Sequence, residues 1–266
     1  MLGSLWFFGA HAAIWLLTLL TALTLHEFYA LTEKMGHRPF RWFGIALSGL
    51  MIAAPFYLTL FFSAAEEFAG LAPALLALAF VVCSFRVLSE RDNTNRIETI
   101  AATMLGLLYV PFMLHYLGRL ILLYETPERG LMPCLWVIIV AKFCDVGALL
   151  AGLAVGKHKM APNISPKKTW EGAVGGVLTS VGLGTAMAYY LPDYFPEKFT
   201  PTVAALVALI LAITAIVSDL IESAIKRRAE TKDTGELIPG IGGAFDLTDS
   251  LILTAPVAYL IFLFLS

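Results

Sequence analysis

Between Ser218 and Ser250 the chain reads SDLIESAIKRRAETKDTGELIPGIGGAFDLTDS, and this stretch gathers polar chemistry that the rest of the sequence largely lacks. Carboxylates at Asp219 and Glu222 precede Lys226, Arg227, Arg228 and Lys232, glycines follow at Gly240, Gly242 and Gly243, and Asp246 and Asp249 close the stretch. Read as a helix, Asp219, Glu222, Ser223 and Lys226 fall at i, i+3, i+4 and i+7 and so share one face. Asp246 and Asp249 repeat the i, i+3 spacing at the start of the last apolar segment. Carboxylate oxygens suit a hard divalent cation, Lys and Arg neutralise phosphate oxygens, and glycine lets backbone N–H groups come close to an anion. Together they point to a site for a metal and phosphates.

A second polar centre lies at AKFCDVGALLAGLAVGKHKMAPNISPKKTWEG, residues 141–172. Asp145 sits well inside an apolar segment, where an ionisable group costs a few kcal/mol and usually faces a partner, a cavity or an ion. An intrahelical pair with Lys142 at i, i+3 would account for it, and so would a place in a polar cavity. Gly147, Gly152 and Gly156 thin the same helix, as either a cavity or close helix packing would require. Beyond it, Ser165-Pro166 opens a turn, Lys167, Lys168 and Thr169 present two ammonium groups and a hydroxyl, and Glu171 stands at the entry of the next apolar run. These lysines could serve as topology signals or bind anionic headgroups.

The elements that must position these groups are transmembrane helices. Of 266 residues, 59% are hydrophobic and 14% charged, against about 45–50% and about 25% in soluble domains, which excludes an ordinary soluble fold. Eight apolar segments are long enough to span, at about 3–25, 43–65, 68–85, 99–118, 130–156, 172–192, 199–218 (continuing toward 224) and 250–266. Backbone in lipid must pair internally, so the expected class is all-α: a polytopic membrane protein of about eight helices. Lys and Arg number fourteen in alternate connections and three in the others, with Lys142 inside a span. The positive-inside bias then puts both termini outside and the basic loops in the cytoplasm. One integrated membrane domain is expected, with 1–98 as an N-terminal region of three helices and 99–266 as the catalytic region of five.

Other features read as structure. Residues 26–42, HEFYALTEKMGHRPFRW, form a mildly amphipathic basic loop that could lie along the interface, with His26 and Glu27 read as a solvated helix end or, alternatively, as functional groups. Cys83, Cys134 and Cys144 form no CxxC pair and read as buried small hydrophobes. His11, His115 and His158 are isolated, and Pro55, Pro111 and Pro133 fall in or beside spans where kinks are common.

Over most of residues 99–266 the sequence resembles the phosphatidate cytidylyltransferase (CDP-diacylglycerol synthase) family. Ser223, Lys226, Arg227, Lys232, Asp233, Gly235, Ile238, Pro239, Gly242, Gly243, Asp246 and Asp249 stand where that family's C-terminal signature asks for them. The preceding S-D-L-I-E-S, the D-V-G-A at Asp145 and the run N-I-S-P-K-K-T-W-E-G match it as well. Ile241 and Leu247 depart from it, replacing a usual histidine and a usual arginine. The resemblance implies transfer of a cytidylyl group from CTP to phosphatidic acid, with CDP-diacylglycerol and pyrophosphate as products. It implies Mg²⁺, with a second cation as an option, held by Asp219, Glu222 and Asp246. Catalytic roles fall to Lys226, Arg227, Lys232, Asp233 and Asp249. Substrate contacts fall to Asp145, Ser165, Lys167, Lys168, Thr169, Glu171, Ser223, Gly242 and Gly243.

The expected partners are CTP, phosphatidic acid and membrane lipid, with a homodimer as an option and no nucleic acid. The expected location is a bacterial cytoplasmic membrane, with the site facing the cytoplasm. Three rivals stand beside this reading. A CTP-dependent polyprenol or phytol kinase would transfer a phosphoryl group instead. A non-catalytic relative would fit the changes at Ile241 and Leu247. A transporter would also use an intramembrane aspartate, although no inverted repeat is visible.

Overall fold

The computed structural model describes residues 2–62, 68, 70–89, 95–231, 234 and 242–265. The helices are α1 (Leu2–Lys34), α2 (Arg41–Phe62), α3 (Leu71–Ser89), α4 (Arg96–Leu107), α5 (Met113–Ile121), α6 (Pro127–Val155), α7 (Trp170–Tyr190), α8 (Pro201–Arg228) and α9 (Ala244–Leu265). A π-helical stretch, Leu108–Phe112, joins α4 to α5 into one span, and Pro111 inside it has no N–H to give the ladder. Among the described residues, eight helices are long and apolar enough to cross a membrane, as expected from the hydropathy pattern.

Three local features differ from the sequence reading. First, α1 is kinked at Gly9 but then runs helical to Lys34, so His26–Lys34 extends the first span and is not a separate interfacial segment. Second, residues 157–171 are not a plain loop. Strands β1 (Lys159–Ala161) and β2 (Ser165–Thr169) pair antiparallel, with Lys159 opposite Thr169. Third, α9 begins at Ala244, not near 250, so Asp246 and Asp249 occupy its first two turns.

The chain divides into two compact units, residues 1–118 with 228–248, and residues 119–227 with 249–266. In the first, Tyr29 of α1 is fully buried and its hydroxyl donates to the Thr103 carbonyl at 2.8 Å. Gly44 of α2 and Gly106 of α4 make room for its ring; a Cβ at either would come within 2.5 Å of a Tyr29 atom. Phe28, Tyr109 and Phe245 form a triangle of rings with centroids 5.8–6.2 Å apart. Just before α2, the Phe40 N–H donates to Thr103 Oγ1 at 2.9 Å, and Arg86 lies over the Phe40 ring.

In the second unit α6 and α7 pack backbone against backbone. A Cβ on Gly176 would stand 2.5 Å from the Cys144 carbonyl oxygen, and one on Gly175 would stand 2.2 Å from Ala151 Cβ. Small residues at this interface let van der Waals contact and interhelical hydrogen bonds replace the hydrophobic drive that lipid removes. Two such bonds are present: Ser180 Oγ donates to the Val140 carbonyl at 2.7 Å, and Trp136 Nε1 to the Gly184 carbonyl at 2.9 Å. Trp136, Phe199 and Phe262 fill the far end with rings 5.0–6.0 Å apart. The three cysteines are buried and free.

Gly176→Val should therefore lower the melting temperature of the purified protein in detergent, since overpacking a close contact costs about 1–3 kcal/mol. Gly182→Ala, on the same helix but with no atom within 4 Å of the added Cβ, should leave it unchanged or raise it. Equal shifts for the two variants would contradict the close α6–α7 contact.

Candidate active site

The predicted acidic face of residues 219–226 lies on α8. Asp219 is half-buried, Glu222 is fully buried, and Ser223 and Lys226 lie beside them at intermediate depth. Asp249, on the second turn of α9, completes a cluster. One carboxylate oxygen each from Asp219, Glu222 and Asp249 lies within 4.8 Å of the others. Ser218 ties the two helices together: its hydroxyl donates to the Asp249 carbonyl and accepts from the Leu253 N–H. The Asp249 side chain also turns back on the next peptide, with the Ser250 N–H 2.5 Å from Oδ1.

Each carboxylate of the cluster has a lysine. Lys168 Nζ, at the hairpin's second strand, pairs with Asp219 Oδ2. Lys226 Nζ pairs with Glu222 Oε1 at 2.7 Å, one helical turn along α8. Lys142 Nζ, from the middle of α6, lies 2.9 Å from Asp249 Oδ1 and 3.7 Å from Asp145 Oδ2. The intrahelical pair with Asp145 thus exists, but the shorter contact goes to Asp249. Lys142 is the functional candidate that the sequence reading left out. Its signal was present, because an intramembrane lysine is costly without a role; its true partner stands 107 residues away.

The hairpin is braced from both ends. Thr169 caps α7, with its Oγ1 accepting from the Gly172 N–H at 3.1 Å. Glu171 accepts from the N–H groups of Lys157 and His158, both at 3.1 Å, and meets the His158 ring at 2.5 Å. Arg227 Nε donates to the Ile164 carbonyl at 3.1 Å, tying the hairpin turn to the end of α8. Ser165 is half-buried and Lys167 exposed on β2. Thr169 and Glu171 therefore hold the arm that carries Lys168.

Asp246 belongs to the first unit. Its Oδ2 accepts from the Gly243 N–H at 2.8 Å and from Thr234 Oγ1 at 3.1 Å. A carboxylate at the third helical position that reaches back to the preceding N–H is half of a capping box. Gly242 has φ +113°, a conformation that glycine adopts without strain. Gly243 N–H is committed to Asp246, so in this state it does not point at an incoming oxyanion. Lys232 and Asp233 lie outside the described residues.

A family model described as "Cytidylyltransferase family" matches residues 1–265. Among curated proteins, the chain is similar to the phosphatidate cytidylyltransferase of Staphylococcus aureus strain COL, 34% identical over 184 residues. It is 32% identical to the phosphatidate cytidylyltransferase of Staphylococcus saprophyticus over 184 residues. It is 31% identical to that of Staphylococcus epidermidis strain RP62A over 183 residues. Each match takes in 69% of this chain and 66% of the relative, so the chain spans just under two thirds of the length of the curated relatives it matches.

Removing Lys142 should expose the charge it holds. Lys142→Met leaves two acidic groups without their nearest cation, a change that costs about 3–5 kcal/mol for a fully buried pair and less for this half-buried one, and should lower the melting temperature. Adding Asp249→Asn to that variant should recover a large part of the loss. A double variant no more stable than the single one would break the assigned pairing.

Proposed function

The chain belongs to the cytidylyltransferase family, and on that footing we propose that it transfers a cytidylyl group from CTP to phosphatidic acid, a step of phospholipid biosynthesis. The products are CDP-diacylglycerol and pyrophosphate. The observation that carries this reading is the cluster of Asp219, Glu222 and Asp249 ringed by Lys142, Lys168 and Lys226 in a multi-pass membrane protein. Hard oxygen donors this close together fit a divalent ion such as Mg²⁺, with Asp219 and Glu222 as ligands and Asp249 beside them. Asp246 stays in the proposed set on the spacing of the family signature. When bound, the ion supplies charge neutralisation and polarises a phosphoryl oxygen.

The chain's own groups do the rest. A phosphate oxygen of phosphatidic acid forms a bond to the α-phosphorus of CTP while the bond from that phosphorus to the pyrophosphate breaks. The nucleophile is already ionised, so no strong general base is needed. The barrier is repulsion between polyanions, and positioned cations lower it. Lys168 is suited to that task because it sits on a hairpin arm outside the spans, so its ammonium would be free to move from Asp219 to a phosphate oxygen if Asp219 and Glu222 held a divalent ion. Lys226, Arg227 and Lys232 serve the leaving pyrophosphate, and Lys167, Ser165 and Ser223 the substrates. Asp145 and Lys142 organise the polar floor on α6.

The proposed orientation has both termini outside and the basic connections, with the site, on the cytoplasmic side of a bacterial inner membrane. There soluble CTP meets a headgroup whose acyl tails stay in lipid. A homodimer is compatible with this arrangement.

Purified protein given phosphatidic acid, Mg²⁺ and CTP labelled at the α-phosphate should put label into lipid. Label entering only from the γ-phosphate would instead identify a lipid kinase. Asp219→Asn should remove turnover by at least a hundredfold without loss of folded protein. For Lys168→Met, apparent divalent-ion affinity should rise, because a competing cation is gone, while KM for CTP or lipid rises. Unchanged kinetics and ion affinity would reduce the Lys168 pairing to a bystander.

A further inference from the structure

The start of α9 is gripped by one face of α1, all within the first unit. Thr24, Glu27 and Phe28 are spaced i, i+3, i+4 and so share a helical face. Thr24 Oγ1 donates to the Ala244 carbonyl at 3.2 Å and lies 3.1 Å from Thr248 Oγ1. Phe28 meets Phe245 edge-on, with ring centroids 6.0 Å apart. Between them, Glu27 accepts from two successive backbone groups: Ala244 N–H to Oε1 and Phe245 N–H to Oε2, both at 2.9 Å. The opening N–H groups of a helix have no partner within it, and a carboxylate there is favoured by both hydrogen bonding and the helix dipole.

The glycine at 243 belongs to the same device. A Cβ there would stand 2.3 Å from Glu27 Oε2 and 2.4 Å from Thr234 Oγ1, so Glu27 can reach the helix only past a residue without a side chain. Asp246 then takes the Gly243 N–H itself. Three consecutive N–H groups are thus held by two carboxylates, one from α9 and one from α1.

We propose that Glu27 is a positioning residue: its carboxylate clamps the first two N–H groups of α9 and fixes the backbone from which Asp246 projects. Its role in turnover rests on the reading of Asp246 as a metal ligand given above. Glu27 touches no reacting atom; it acts through the helix it holds. A glutamine cannot replace it, because its amide NH₂ would face a backbone N–H, donor against donor. An aspartate is one methylene short of spanning both.

The test uses the full chain in detergent. Hydrogen exchange over residues 242–248 should quicken in Glu27→Gln while the rest of the protein keeps its protection, and Mn²⁺ affinity by electron paramagnetic resonance should fall about ten- to hundredfold, the usual range for a group that supports a ligand. Gly243→Ala should reproduce both defects and add little to Glu27→Gln in the double variant. Should Glu27→Gln fail to fold, Glu27→Asp is measured by the same two readouts, with a smaller loss expected. Parent-like exchange at 242–248 together with parent-like Mn²⁺ affinity would overturn the proposal. If the parent binds Mn²⁺ but makes no CDP-diacylglycerol, the proposed activity fails while Glu27 is still scored by exchange and Mn²⁺ binding.

Discussion

Three carboxylates held within 4.8 Å of one another repel, and the surrounding structure must answer that repulsion. At an effective dielectric near 20, two unit charges at that separation oppose each other by about 3.5 kcal/mol. An ammonium at the 2.9 Å seen between Lys142 and Asp249 returns about 6 kcal/mol by the same measure, before desolvation takes its share. The three lysines come from three places: the middle of α6, the second strand of the hairpin, and α8 itself. The cluster is therefore stable only if those elements are held together. Without the lysines the carboxylates would face one another unscreened; without the acids Lys142 and Lys226 would be stranded in apolar helices.

That requirement explains features that otherwise look like separate curiosities. The run of small residues between α6 and α7 lets two backbones approach closely, which brings the hairpin that opens α7 to the polar end of α6. Thr169 and Glu171 then serve the same end by fixing where the arm starts. Arg227, reaching the Ile164 carbonyl, anchors the hairpin turn to α8, the helix that carries Asp219 and Glu222. Helix packing, hairpin and charge pairing form one mechanical unit, in which apolar contacts supply proximity and ion pairs supply register.

Hydropathy and charge asymmetry made the eight spans legible, because a span needs a long apolar run and little else. The face of α8 was equally legible, since i, i+3, i+4 and i+7 spacing fixes a face before any tertiary contact exists. The hairpin was not. Three- and five-residue strands bury little, and Pro166 with two lysines reads as a turn. The early start of α9 was hidden by its glycines: only the contact with Glu27, 217 residues away, and the back-reach of Asp246 show why the helix begins there. Lys142 was visible, but its main partner was not, because sequence spacing offers Asp145 and tertiary structure offers Asp249. What sequence conveyed were local periodicities; what it withheld were pairings across the fold.

The start of α9 also bears on how phosphate is handled. A glycine-rich turn ahead of a helix ordinarily suggests an anion cradle of backbone N–H groups. Here the N–H groups of Gly243, Ala244 and Phe245 already serve carboxylates, which occupy the positions a phosphate would take. A polyanionic ligand could claim them only by displacing Asp246 or Glu27, bringing one anion in and forcing another out. Side-chain cations face no such exchange of like for like. An ammonium that leaves a carboxylate for a phosphate keeps an opposite charge beside it, provided another cation replaces it at the carboxylate. In the proposed reaction the burden of phosphate recognition would therefore fall on lysine and arginine, while the carboxylates of Asp246 and Glu27 crowd the glycines at 242 and 243.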